Sequence, residues 1–231
     1  MSFFRRHWYD IGLLLALVTL VVAAIVGFTG LRLILLLEFV ALLLHQVEEY
    51  HLPGGEPWIL NEVSQPKGGP ADRFPLNQNN ATFMNVVLWP VYLLPVFLPH
   101  VPWLAIAPLL MGAIGQFVVH AVLTTIKLKT VYDPGLATVL VGFVPLAVWY
   151  FITAYNEGII DWWQWLFGVL YGAAVIGISF RVIGYGILQD KDSRYPFSAE
   201  EMSRFGRGRR LRHAGITPLP YPPTTSQDSA G

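Results

Sequence analysis

The sequence predicts an all-α protein: a polytopic membrane helix bundle of about six transmembrane helices, with N- and C-termini both cytoplasmic. Three observations lead to this fold class. The 231 residues are 54% hydrophobic and only 13% charged, whereas soluble domains carry about 25% charged residues. Six apolar stretches are long enough to cross a bilayer, which takes about 20 residues. The basic residues are concentrated on alternate connections between those stretches, as in multi-pass membrane proteins.

The six apolar stretches divide the chain in order. They cover residues 11–28, 31–50, 81–98, 103–126, 136–155 and 162–184. The first is predicted to be a retained span rather than a cleaved signal peptide, because no clean cleavage site follows it. The third contains Pro90 and Pro95, which predict a kink. The resulting domains are a cytoplasmic N-terminus at 1–10, a transmembrane domain at 11–184 with a cytoplasmic loop at 52–80, and a cytoplasmic tail at 185–231 that is basic, then Pro-rich and partly disordered.

The distribution of charge sets the predicted orientation. With a cytoplasmic N-terminus, every Lys and Arg except Arg32 falls on a cytoplasmic segment, as the positive-inside rule requires. We therefore expect a multi-pass protein of the cell (inner) membrane. The loop 52–80 is longer than a connector needs to be, so it is predicted to cover a site. The Arg-rich part of the tail, GRGRRLRH, is expected to lie on anionic lipid headgroups rather than on nucleic acid.

Four ionisable residues share one face of the second stretch, which ends in LLLHQVEEYH. On a helix, Glu38 lies about 20°, Glu49 about 40° and Glu48 about 60° around the axis from His45. His45 and Glu49 are four residues apart and therefore project side by side. Glu38 lies too deep for its carboxylate to reach the interface, and a charged acid there costs at least about 2.5 kcal/mol. It is expected to be protonated, paired with a cation or bound to a metal.

A second polar stripe on the fourth stretch lies at the same depth. His120 and His45 are both about 10 Å below the cytoplasmic ends of their stretches, and Asn85 lies at a comparable level in the third. Three helices thus contribute polar groups to one layer near the cytoplasmic face. The small residue in the stripe allows two helices to approach closely. The stripe consists of Gly112, Gln116, His120 and Thr124.

Two turns beside these stretches carry further polar residues. Asp133, just before Pro134, is expected to cap the fifth helix, with a role as a lid or ligand as the alternative. Asn77, Asn79 and Asn80 are expected at turns and caps, whereas Asn85 is expected to be buried.

Histidine together with carboxylates is the ligand mixture of zinc and iron centres in hydrolytic or oxygen-activating enzymes. We expect His45, Glu49 and His120 to bind the metal directly. Glu38, Glu48 and Asn85 are the candidate catalytic residues: the carboxylates as further ligands or a general base, and the amide to orient water or substrate. The chain has no cysteine, so thiolate ligands are excluded.

The leading hypothesis is therefore an integral membrane enzyme, a metal-dependent hydrolase or oxygenase with its site at the cytoplasmic side of the bilayer. Its expected partners are membrane lipids and a lipophilic substrate, such as a lipid or terpenoid. One alternative is a metal-free isomerase or cyclase, in which a glutamate beside a histidine performs acid–base chemistry. Another is a proton-coupled transporter, since Glu and His form proton relays in membranes. A polar cluster that only fixes helix packing is the fourth.

The motif His45-x-x-Glu48-Glu49 resembles that of the HXXEE family of multi-pass membrane proteins, whose function is unassigned. The resemblance implies a further histidine and an asparagine in later spans, positions that match His120 and either Asn85 or Asn80. The turn YDPG at residues 132–135 also resembles a segment of the family. The similar region covers roughly residues 30–155, and it implies a shared site without implying a reaction.

Overall fold

The computed structural model describes residues 2–221, and every regular element in that part of the chain is helical. Six helices are long and apolar enough to cross a membrane, so the protein is a multi-pass membrane protein, as predicted. The expected disorder of the extreme C-terminus concerns residues 222–231, which lie outside the described residues. We number the helices as spans: span 1 (Phe3–Val26), span 2 (Gly30–Tyr50), span 3 (Gln78–Phe97), span 4 (Trp103–Leu128), span 5 (Leu136–Asn156) and span 6 (Trp162–Ile187).

Span 1 begins earlier than its apolar pattern predicted. Residues 3–10 continue the helix because Trp8 and Tyr9 are buried rather than solvated. Both pack against Tyr50 at the end of span 2, with ring centroids 5.0 and 6.1 Å apart respectively. Aromatic contacts of this kind explain why the helix continues through the predicted N-terminal segment.

Span 3 begins earlier than predicted because of a strong N-cap. The Asn77 side chain accepts hydrogen bonds from the backbone N–H groups of Asn79 and Asn80. In turn, the Asn80 side-chain oxygen accepts a hydrogen bond from the backbone N–H of Asn77. The helix is interrupted at Val87, three residues before Pro90, which has no N–H to donate. The expectation that Asn85 is the buried asparagine is wrong: Asn85 is half-buried, whereas Asn77 and Asn80 are buried in the cap.

Span 2 is the central helix of the bundle. Over the 18-residue apolar stretch compared in each span, 61% of the residues are buried in span 2, against 22% in span 1 and 17% in span 6. It packs against spans 1, 3 and 5. Because a charged side chain facing lipid is costly, span 2 is the helix best able to carry ionisable groups. The polar stripe is therefore placed inside the protein.

Small residues bring the other spans into close contact. A Cβ on Gly112 of span 4 would lie 2.6 Å from the ring of Phe143 on span 5. Span 6 crosses two neighbours: its Gly168 lies against Ile106 in the first half of span 4, and its Gly184 lies against Met84 of span 3. The second half of span 4 packs mainly on span 5. Spans 4 and 6 therefore diverge toward the end of the bundle where span 2 ends.

The long loop and the tail form one layer over that end. The loop contains a helix at Glu56–Ile59 that continues with wider turns through Leu60–Ser64. We call residues 188–221 the tail; it contains the helices Ala199–Ser203 and Arg207–Ala214. Arg207 donates to the buried Glu62 of the loop at 2.7 Å, so part of the Arg-rich segment pairs with protein rather than with the expected headgroups. The cytoplasmic orientation of this layer remains a prediction.

Glu62→Ala is expected to detach the tail, because it leaves the mostly buried Arg207 without its carboxylate partner. Breaking such a pair costs about 3 kcal/mol, which raises the population of molecules with a detached tail about 100-fold. Trypsin cleavage after Arg207 and Arg210 should accelerate accordingly. Glu200→Ala is the matched control, since Glu200 pairs with Arg204 but its side chain is 79% exposed and such pairs contribute about 1 kcal/mol at most. Equal cleavage rates for the two variants would contradict the docking described here.

Candidate metal centre

Spans 2 and 4 bring His45, Glu49 and His120 together at the end of the bundle where span 2 ends. We call these three residues the metal group. One ligand atom from each lies within 4.8 Å of the others, so the group could hold a metal ion. Nε2 of His45 and Nε2 of His120 lie 3.4 and 3.3 Å from the same oxygen, Oε1 of Glu49. The two imidazoles cross edge to face at 85°, with centroids 5.0 Å apart. All three residues are buried, as their shared depth predicted.

The other ring nitrogen of each histidine is fixed by a hydrogen-bond acceptor. Nδ1 of His120 lies 2.7 Å from Oδ2 of Asp133, and Nδ1 of His45 lies 3.2 Å from the carbonyl oxygen of Gly135 and 2.9 Å from the Thr138 hydroxyl. Because carboxylates and carbonyls only accept, both Nδ1 atoms carry the proton. This arrangement is the usual outer support of metal-binding histidines. In the neutral form of each imidazole, the lone pair is then on Nε2.

The spacing at Glu49 fits metal coordination better than hydrogen bonding. Within the described residues, neither Nε2 has a hydrogen-bond partner, although both are buried. A charge-assisted N–H···O bond is about 2.7–2.9 Å long, shorter than the separations of 3.3 and 3.4 Å found here. Two ligands on a tetrahedral zinc with bonds of about 2.05 Å are separated by about 3.3 Å. The two histidine–carboxylate separations are thus compatible with ligands of one cation.

Gly135 lies directly beneath the two imidazoles. A Cβ at this position would approach Cε1 of both His45 and His120 to 2.7 Å, and its φ of +107° is a conformation that favours glycine. The turn before span 5 can therefore approach the histidines only because residue 135 has no side chain. In the sequence, this glycine is singled out only as part of the YDPG turn that resembles the HXXEE family.

Glu48 points toward span 5 rather than into the metal group. Its carboxylate accepts hydrogen bonds from the backbone N–H groups of Ala137 and Thr138 at 3.0 and 2.9 Å. It also accepts from the Thr138 hydroxyl at 2.6 Å and the Tyr132 hydroxyl at 2.8 Å. Glu48 thus caps the N-terminus of span 5, the role expected for Asp133, and a carboxylate is favoured there. Asp133 instead supports His120.

Glu56 is a site residue that the sequence analysis missed. It begins the loop helix after Gly54 and Gly55 and is 8% exposed. Burial raises the pKa of the Glu56 carboxyl well above its usual range; Glu49 and Asp133 raise it further, and His120 lowers it. Glu56 therefore lies within electrostatic range of Glu49, His120 and Asp133. Helical periodicity could not reveal it, because it lies in the loop; its only signal is the Gly-Gly turn that admits it.

Two predicted catalytic residues lie elsewhere. Glu38 is buried about 10 Å deeper along span 2 than His45, and neither of its oxygens has a partner within the described residues. Asn85 donates to the Ala81 carbonyl at 2.9 Å and lies 3.4 Å from the Tyr50 hydroxyl. Neither belongs to the metal group. Their catalytic roles stay predictions.

The fold and the site define the class: a multi-pass membrane protein with a buried His/Glu group that could hold a metal. Within that class, the sequence model of a family described as "Protein of unknown function with HXXEE motif" matches residues 36–150, about half of the chain. The chain belongs to this family, as its motif indicated. The matched region contains most of span 2, spans 3 and 4, and most of span 5, and with them the whole metal group. No curated protein and no solved structure matches the chain.

Gly135→Ala is expected to displace both imidazoles, because its methyl group would overlap them and its backbone would be strained. Overpacking of this kind costs about 1–3 kcal/mol, and the left-handed conformation adds about 1 kcal/mol. The melting temperature in detergent should fall by several degrees. Gly158→Ala is the control, since Gly158 has a φ of +63° but nothing within 4 Å. A similar decrease in both variants would mean that the histidines are not packed on Gly135.

Proposed function

We propose that the protein is a metal-dependent membrane hydrolase that acts on a lipophilic substrate. The observation that carries this proposal is the pair of Nε2 atoms, which face one carboxylate oxygen at 3.3 and 3.4 Å without a hydrogen bond. His45, Glu49 and His120 would hold the ion. Two histidines and one glutamate, with a coordination position left open, form the ligand set of catalytic rather than structural zinc sites.

The residues around this group support hydrolysis in particular. A divalent ion in the open site would lower the pKa of bound water to about 7. Glu56 is the candidate proton acceptor, because it is buried within electrostatic range of the group; burial raises the pKa of its carboxyl, and a nearby cation would lower it. Asp133 holds the imidazole of His120 in the tautomer that a metal requires. Glu48 is a positioning residue, since it fixes the turn that carries Asp133.

The depth of the site supports a lipophilic substrate. His45 precedes the end of span 2 by five residues, and His120 precedes the end of span 4 by eight, which places both about 8–12 Å inside the bundle. The loop and tail cover this end, with Trp58 donating to the Arg204 carbonyl at 3.0 Å. Spans 4 and 6 diverge at the same level, so the route that we infer for the substrate is lateral, from the lipid. The positive-inside distribution supports a cytoplasmic position for the site.

The metal content of the purified protein tests the first part of the proposal. Wild-type protein purified without chelators is expected to hold close to one zinc per chain by plasma mass spectrometry. The variant His45→Ala/His120→Ala should lose it, because two of three ligands are absent. His7→Ala/His51→Ala removes two histidines whose side chains are 45% and 46% exposed and should retain the zinc. Stoichiometric iron in place of zinc would shift the chemistry to oxygenation, and zinc retained by the ligand variant would place the ion elsewhere.

Glu56→Gln tests the second part. It should keep the metal, since Glu56 is not a ligand, but slow turnover by about 10²–10⁴-fold, as expected for loss of a general base. Nanodisc-embedded protein would be incubated with a total lipid extract, and products released by wild-type protein but not by His120→Ala would be identified by mass spectrometry. Glu157→Gln, an exposed acid after span 5, is the control and should keep full turnover. Undiminished turnover in Glu56→Gln would remove Glu56 from the mechanism.

A further inference from the structure

A basic surface lies beside the site, where the tail helix meets the end of span 4. The helix Arg207–Ala214 packs against the last turn of span 4, and Nε2 of His213 lies 3.3 Å from the Lys129 carbonyl. We call the exposed bases of these two segments the basic face: Lys127, Lys129, Arg209, Arg212 and His213. Neither segment contains an acid, since residues 117–132 and 202–221 include no Asp or Glu. The face is therefore uniformly positive.

Apolar side chains project from the same surface. Val131, in the turn between Lys129 and Tyr132, is 95% exposed, and Ile126 on the last turn of span 4 is 69% exposed. Span 4 ends at Leu128, so Val131 lies within about 6–8 Å of the hydrocarbon boundary, the depth that headgroups occupy. A fully exposed valine among bases at this depth is typical of a segment that inserts shallowly between lipids.

We infer that the basic face binds anionic phospholipid headgroups of the membrane that the protein spans. Charge complementarity and the depth of Val131 together identify this occupant. The sequence analysis expected the whole Arg-rich segment to lie on headgroups. The structure divides it: Arg207 and Arg210 point toward protein, and Arg209 and Arg212 are exposed.

Lipid binding on this face is coupled to the site through the inner side of the same helix. Arg210 donates to the Thr130 hydroxyl at 3.1 Å and stacks on Phe205 at 3.5 Å. Phe205 in turn contacts Tyr132, with ring centroids 5.8 Å apart, and the Tyr132 hydroxyl donates to Glu48. Anionic lipid that holds the outer side of the helix therefore also stabilises the turn that supports the histidines. This coupling does not require that the metal be present.

The absence of cysteine from the chain makes a single-site reporter possible. Val131→Cys, labelled with the environment-sensitive fluorophore NBD, would be placed in nanodiscs of phosphatidylcholine alone or mixed with phosphatidylglycerol. The emission should shift to shorter wavelength with phosphatidylglycerol, and iodide quenching should fall by at least about two-fold as the valine position inserts. High salt should reverse part of the shift, because the attraction is electrostatic. Identical emission and quenching in both lipids would overturn the proposal.

Charge reversal identifies the bases responsible. The substitutions Arg209→Glu and Arg212→Glu would be added to the labelled Val131→Cys reporter. The fraction of phosphatidylglycerol needed for half of the emission shift should then rise at least about five-fold. Lys191→Glu/Arg194→Glu reverses two exposed bases of the same tail outside the basic face and should behave as the wild-type reporter. An equal response in the two variants would overturn the assignment. The assignment would also be overturned if RNA shifts the NBD emission in phosphatidylcholine nanodiscs and phosphatidylglycerol does not.

Hydrogen exchange tests the coupling separately. Backbone amides of residues 130–136 should exchange more slowly in nanodiscs that contain phosphatidylglycerol, and Arg209→Glu/Arg212→Glu should remove the difference. Amides of residues 157–161, at the opposite end of the bundle, provide the internal control. Unchanged exchange at 130–136 would show that the lipid contact does not reach the site.

Discussion

Glu48 of span 2 accepts the first free backbone N–H groups of span 5, and the geometry of the site depends on this contact. The N-terminus of a helix inside a membrane protein has no water to satisfy its orphan donors. A carboxylate from the central helix satisfies them and favours the positive end of the helix dipole. The turn before span 5 is thereby fixed, and it presents Asp133 to one histidine and the Gly135 carbonyl to the other. Within the HxxEE motif, one glutamate positions the turn and the other faces the histidines.

The balance of charge around the histidines is compatible with a cation. Glu49 and Asp133 face the imidazoles, and Glu56 lies within electrostatic range of both acids; all of these residues are buried. Both imidazole Nδ1 atoms already donate to acceptors, and both Nε2 atoms face a carboxylate oxygen. A divalent ion held by His45, Glu49 and His120 would offset this negative charge.

The sequence predicted the helices and the convergence of His45, Glu49 and His120, because both follow from periodicity. Hydropathy marks the spans, and a stripe at intervals of three and four residues shows which side chains share a face. Periodicity does not show which neighbour a side chain meets, so Glu48 was expected among catalytic groups although it caps span 5. Glu56 and Gly135 lie in turns, where no periodic signal exists. The tail was expected on lipid because its arginines are dense, and only the fold shows that Arg207 meets Glu62.

The position of Glu38 bears on the choice between an enzyme and a proton-coupled transporter. A relay would need polar groups in sequence from the histidines toward the opposite face. Instead, Phe143 lies against His45 with centroids 5.3 Å apart, and the next ring is Tyr92 at 6.1 Å from Phe143. Glu38 has no hydrogen-bond partner within the described residues. Phe143 thus packs directly against the histidine layer. A site that ends inside the bundle, beside the diverging halves of spans 4 and 6, favours chemistry on a substrate over passage across the membrane.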